Sequence, residues 1–272
     1  MGECINKYFI YNNEIKNSNE FDEKILSEGK SLYEVIRIID GKPLFLQKHL
    51  KRLENSAAVT NMDLWITIDE LKEKITELIK VNDTAIGNVK FIFNFNKDNT
   101  FAAYFVKHHY PSTEDYEKGV RTILYHGERK NPNAKVINMG FREAVDKEIR
   151  EKEAYEAILV DNKGYITEGS KSNIFMIKGD KVITSPLEDV LPGITRNVII
   201  EKCKDIGFEV AEEKIHYEVL KDLDGLFISG TSPKVLPIRE VDNMKFDSAK
   251  NEVILKIMRG YNILVDEDIT NS

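Results

Sequence analysis

Lys135, in N-P-N-A-K-V-I-N, and Glu168, in the following motif T-E-G-S-K-S-N-I-F, are the residue types from which carbon-acid chemistry is built. A neutral lysine amine is a nucleophile toward carbonyl carbon and a proton shuttle, and burial next to positive charge lowers its pKa toward that role. A carboxylate keeps a heterocyclic nitrogen protonated, so that the ring accepts electrons. Small hydroxyl residues beside the carboxylate, and the helix start G-I-T-R at Gly193 to Arg196, supply donors for an anion. Taken singly, each has an ordinary alternative: a surface lysine, a solvated turn acid, a helix cap.

The elements that must carry these residues are readable from periodicity. Ser31 to Ile39 alternates as a strand, with Tyr33, Val35 and Arg37 on one face and Leu32, Glu34, Ile36 and Ile38 on the other. Gln47 to Ala58 and Asp69 to Lys80 show helical spacing, through Leu50, Leu53 and Ala57 and through Leu71, Ile75, Leu78 and Ile79. Asn88 to Phe95 and Phe101 to Lys107 are strands across the polar link Asn96-Lys97-Asp98-Asn99. Tyr110 to Lys118, with Pro111 and several acids, reads as the linker between a domain over 1-112 and one over 113-272. Beyond it come strands at Gly119 to Tyr125, Ala157 to Val160, Ile174 to Ile177 and Leu226 to Ser229. A helix is expected over Gly140 to Glu153, and another from Thr195 as N-cap to Gly207 as stop. The last expected helix spans Ser248 to Gly260.

Composition narrows the functional classes. The chain has 272 residues, 42% hydrophobic and 31% charged, as in a soluble globular protein, and no apolar run reaches membrane-spanning length. The start M-G-E-C-I-N-K-Y-F lacks a leader pattern and has Asn6 where a myristoylation signal places Ser or Thr, so a cytoplasmic location is expected. Two cysteines, Cys4 and Cys203, exclude a disulfide framework. A net charge of -7 disfavours a nucleic-acid surface, which leaves small molecules as partners. The five histidines lack acids or cysteines at ligand spacing, so no metal is expected. Gly29-Lys30-Ser31 imitates the end of a P-loop, yet Lys24 stands where that loop needs glycine.

The ordered series L-Y-E-V-I-R-I, H-L-K-R-L, K-V-I-N, Y-E-A-I-L-V-D, T-E-G-S-K-S-N-I-F, L-P-G-I-T-R and G-T-S resembles the class IV, or fold-type IV, pyridoxal-phosphate enzymes over nearly the whole chain. That family includes branched-chain aminotransferases, D-amino acid aminotransferases and aminodeoxychorismate lyases. The resemblance implies an α/β (α+β) fold, with a smaller N-terminal domain, a larger mixed C-terminal domain and pyridoxal 5'-phosphate between them. It places the internal aldimine on Lys135. Lys130 lacks the following V-I-N, and Lys147 falls on a helix. Glu168 is implied as partner of the pyridine nitrogen. Arg52, Leu191, Thr231 and the backbone of Ile194 and Thr195 are implied to hold the rest of the cofactor. Tyr33, Val35, Arg37, Lys90 and Ser232 are implied to line the substrate side.

The implied reaction is transamination between an amino acid and a 2-oxo acid, in a ping-pong cycle through the Lys135 aldimine, by a homodimer. The alternatives are an aminodeoxychorismate lyase, forming 4-aminobenzoate and pyruvate, and a cofactor-binding protein without turnover. Three departures from the family bear on the substrate. The loop that carries an Arg-x-His carboxylate trap in D-amino acid enzymes is shortened to N-K-D-N, the usual G-D-G is Glu28-Gly29-Lys30, and Lys234 replaces a common glutamate.

Overall fold

A computed structural model describes residues 3–23, 29–129, 132–136 and 139–271; Lys24, Glu28, Lys130 and Asn138 lie outside the described residues. The chain divides into two compact units, Met1–His109 with Ala134–Ile137 and Val265–Ser272, and Tyr110–Asn133 with Asn138–Leu264. Among the described residues no helix is long and apolar enough to cross a membrane.

The first unit is an antiparallel sheet covered by two helices. Its strands are β1 (Tyr8–Tyr11), β2 (Glu14–Asn17), β3 (Lys30–Ile39), β4 (Lys42–Pro43), β5 (Gly87–Phe95) and β6 (Thr100–Val106), in the order β2-β1-β6-β5-β3-β4. Its helices are α1 (Leu46–Thr60) and α2 (Ile68–Asn82). The alternation expected along β3 holds. Leu32, Ile36 and Ile38 are fully buried with Leu50, Leu53 and Ala57 of α1 and Leu71, Ile75 and Leu78 of α2. Each such side chain contributes roughly 1.5–3 kcal/mol on removal from water. Tyr33 and Val35 point to the other face, with Phe9, Ile92, Ala102 and Tyr104. α2 starts on a reciprocal Thr67–Glu70 capping box.

The second unit holds α3 (Thr113–Lys118), β7 (Val120–His126), α4 (Met139–Glu151), β8 (Glu156–Val160), β9 (Ile166–Gly169), β10 (Asn173–Lys178), β11 (Lys181–Thr184), α5 (Ile194–Asp205), β12 (Val210–Glu212), β13 (Gly225–Gly230), β14 (Lys234–Val241), β15 (Met244–Lys245) and the start of α6 (Glu252–Asn271). Its sheet runs β12-β11-β10-β13-β14-β7-β8-β9, with β15 on β14. The pairs β7–β8, β7–β14 and β11–β12 are parallel. Antiparallel pairing of β8 with β9 brings Glu168 and the loop after it alongside β8.

Two expected boundaries are corrected. Gly193, not Thr195, is the N-cap of α5, and Thr195 lies inside the first turn. The C-terminal helix does not stop at Gly260 but runs on to Asn271. The stem of Lys202 occupies the space a Cβ on Gly260 would need, with Cε 3.0 Å and Cγ 3.1 Å from that position, so this glycine serves close packing and not termination. The helix continues because Tyr261, Val265 and Ile269 still bury an apolar stripe.

Candidate active site

In the first unit, Lys135 is tied to β3 by its neighbours. Val136 forms an antiparallel bridge with Leu32, and Tyr33 N donates to Lys135 O at 3.2 Å. Lys135 N also donates toward Ser56 Oγ of α1, at 3.5 Å. With its main chain so fixed, the side chain turns over the Tyr33 ring, Nζ standing 4.7 Å from the ring centroid. Val35 shares the face of Tyr33 and is the register partner of Lys90 on β5. Lys90 Nζ lies 5.3 Å from the same Tyr33 centroid and pairs with Glu3 Oε1 at 2.6 Å. Arg37 is half-buried at the next position of the alternation, opposite Asn88.

The helix-covered face of β3 carries a charge cluster. Arg52 grips Glu34 with two hydrogen bonds, Nε to Oε1 at 2.7 Å and Nη2 to Oε2 at 2.6 Å, and His49 Nδ1 stands 2.8 Å from Oε2. Burial alone would raise the Glu34 pKa, but the charge and hydrogen bonds of Arg52, helped by His49, bring it down to about 2. Burial depresses the pKa of His49 against the upward pull of Glu34, and the charges of Arg52 and Lys135 add to the depression. A neutral His49 then donates from Nδ1 to the carboxylate.

In the second unit, Glu168 lies near the end of β9 and is 4% exposed. Its Oε2 accepts from Leu191 N at 3.0 Å. Arg129 Nε stands 2.7 Å from Oε1, an ion pair by distance that is not aligned as a hydrogen bond. The loop after Glu168 wraps a second buried carboxylate, Glu156. Ser170 Oγ donates to its Oε1 at 2.5 Å, while Ser172 Oγ and Lys171 N donate to Oε2, both at 3.1 Å. Ala157 N adds a fourth bond at 2.9 Å. Burial raises the Glu156 pKa, and these neutral donors together with the charge of Arg142 offset it only in part.

The same loop reaches the start of α5. Asn173 Nδ2 donates to Leu191 O at 3.0 Å, and a Cβ on Gly193 would overlap Asn173 Oδ1, so glycine is required there. As N-cap, Gly193 offers no side-chain oxygen, and the first carbonyl-to-amide bond of the helix runs from Asn197 N to Gly193 O at 3.0 Å. The amides of Ile194 and Thr195, both on buried residues, therefore open the helix beyond reach of its internal ladder. Thr231 and Ser232 are half-buried in the turn between β13 and β14.

Residues 31–241 match the family model of amino-transferase class IV. The chain belongs to the class IV aminotransferases. It is 30% identical over 266 residues to the branched-chain-amino-acid aminotransferase of Escherichia coli (strain K12), covering 88% of this chain and 86% of that one. It is equally 30% identical, over 280 residues, to the D-alanine aminotransferase of Staphylococcus haemolyticus, covering 96% and 97%. Its fold resembles the T.th. branched-chain amino acid aminotransferase complexed with N-(5'-phosphopyridoxyl)-L-glutamate, with TM-score 0.86, 24% identity and coverage of 97% and 96%. The family resemblance read from the ordered motifs holds.

Within this class IV aminotransferase several site residues escaped the motif reading. Glu34 had a signal: an acid between Leu32 and Ile36 on an apolar strand face needs a cation or a set of hydrogen-bond donors once buried. Glu156, just before the apolar run Ala157 to Val160, had the same signal. Arg129 and Glu3 had none, because their contacts join residues distant in sequence.

Proposed function

We propose that this class IV aminotransferase uses pyridoxal 5'-phosphate to move an amino group from an amino acid to a 2-oxo acid in a ping-pong cycle, with Lys135 as its reacting amine. The observation that carries this reading is the placement of Lys135, whose main chain is pinned to β3 while Nζ is presented over Tyr33.

The donor set suits that coenzyme. The α5 start, with Gly193 backed by Asn173 and no side-chain cap, offers buried amides to a phosphate. Arg52, its guanidinium plane set by Glu34, and Thr231 are the further donors proposed for the phosphate. Glu168 offers a buried carboxylate to a ring N–H, beside the Arg129 guanidinium. Leu191 contributes through the backbone, its N–H fixing Glu168.

When bound, the coenzyme supplies a sink for the electron pair left on the substrate carbon. Lys135 Nζ, as a neutral amine, takes the proton from that carbon and later returns one. Glu168 is the proposed hydrogen-bond partner that holds the proton on the ring nitrogen. Tyr33, Val35, Arg37, Lys90 and Ser232 bound the substrate. We place the enzyme in the cytoplasm as a homodimer.

Relatives of equal identity are a branched-chain and a D-alanine aminotransferase, which supports amino transfer and leaves the amino acid to experiment. The coenzyme-loaded protein should be incubated with a panel of L- and D-amino acids and with aminodeoxychorismate. The expected result is a 2-oxo acid, with the bound coenzyme converted to pyridoxamine phosphate. Release of pyruvate and 4-aminobenzoate without that conversion, or silence with every compound, overturns the proposal.

A further inference from the structure

We propose that Glu3 determines substrate specificity, as a built-in counter-ion that closes Lys90 to substrates carrying a second carboxylate. The inference rests on Lys135 being the reacting amine. The amino groups of Lys90 and Lys135 stand 5.3 Å and 4.7 Å from the centroid of the same ring, that of Tyr33, whose side chain lies on the face of the sheet turned away from α1 and α2. The Lys90 side chain is only 11% exposed. A cation so enclosed is costly without an anion beside it. Glu3 supplies that anion, with Oε1 2.6 Å from Lys90 Nζ and Oε2 accepting from Tyr104 Oη at 3.0 Å. Burial, then the charge of Glu3, pushes the Tyr104 pKa up, so this phenol stays a donor.

The position of Glu3 is built in and not incidental. Cys4 bridges to Val106 and Ile5 N donates to Phe105 O at 3.0 Å, so the backbone next to Glu3 is anchored along β6. Lys90 and Tyr104 are register partners on β5 and β6, which lets one carboxylate take both. A substrate with a neutral side chain meets a cancelled charge pair. One with a distal carboxylate meets the part-buried Glu3 anion, whose like charge repels it, beside a Lys90 that is already paired. The glutamate thus rejects acidic side chains that Lys90 alone would attract.

Glu3→Gln tests this, because the amide keeps the length and the Tyr104 hydrogen bond while losing the charge. In the coenzyme-loaded enzyme, the ratio of kcat/KM for acidic over neutral amino acids should rise about tenfold. A second readout needs no turnover. Glutarate and valerate, five-carbon acids differing by one carboxylate, are titrated calorimetrically into loaded wild type and variant. Glutarate affinity should rise about tenfold relative to valerate. A ratio within about twofold of wild type in either measurement, or a parallel loss for both acids, overturns the assignment. Should wild type transaminate no amino acid, the reading of the site fails instead, and the glutarate titration still decides the role of Glu3.

Discussion

Glu34 in the first unit and Glu156 in the second are both closed off from water, at 0% and 4% exposure, yet their acidities move in opposite directions. Burial raises both. Glu34 faces a guanidinium aligned with both its oxygens, and that attraction overrides desolvation. Glu156 is met mainly by two hydroxyls and two backbone amides, which satisfy its lone pairs without cancelling its charge. The difference separates two uses of a buried acid. One fixes a cation, here Arg52 with its proposed grip on phosphate. The other gathers a loop, here Ser170 to Ser172, between Glu168 and Asn173.

The largest expected effect comes from breaking the charged cluster. Arg52→Ala leaves Glu34 enclosed with only His49, and a loss of about 3–5 kcal/mol in urea unfolding of the coenzyme-free protein is expected at pH 7. A loss below about 1 kcal/mol would show that the pair contributes little beyond its desolvation cost.

Acid titration comes next. The folded pKa of Glu34 is depressed from the ordinary value of 4.5 to about 2. Its stabilisation is therefore complete above the ordinary value and lost as pH falls toward the folded one. The expected loss is on the order of 3 kcal/mol, read from unfolding curves across that window. Glu156 has the opposite sign. Its folded pKa is raised, so its contribution is most favourable when protonated and declines as pH rises through the folded value.

The smallest effect sharpens that contrast. Glu156→Gln keeps the shape but turns an N–H toward Lys171 N, and should cost about 1 kcal/mol at pH 5. The gap to wild type should narrow toward pH 8, because the amide carries no buried charge. A gap that widens with pH would show Glu156 stabilised as an anion, as Glu34 is.

Much of this was legible in the chain because periodicity reports burial. The alternation of β3 and the helical stripes of α1 and α2 follow from which side chains leave water, and the paired motifs around Lys135 and Glu168 pointed to the right family. What stayed hidden depends on groups far apart in sequence. Arg52 reads as a solvated helix charge until β3 lays Glu34 beneath it. Thr195 reads as a cap because Ser and Thr usually are, whereas here Asn173 leaves room only for the bare Gly193 at that corner. Gly260 reads as a stop because a glycine often ends a helix, and only the stem of Lys202 shows why it does not.

The central claim is that Lys135, and no neighbouring lysine, is the reacting amine. Borohydride reduction of the coenzyme-loaded protein, followed by proteolysis and peptide mass spectrometry, locates the attached phosphopyridoxyl group directly. The account predicts the label on Lys135, with none recovered from Lys135→Ala. A label on Lys130 or Lys147 in the wild type, or undiminished labelling of the variant, would contradict it.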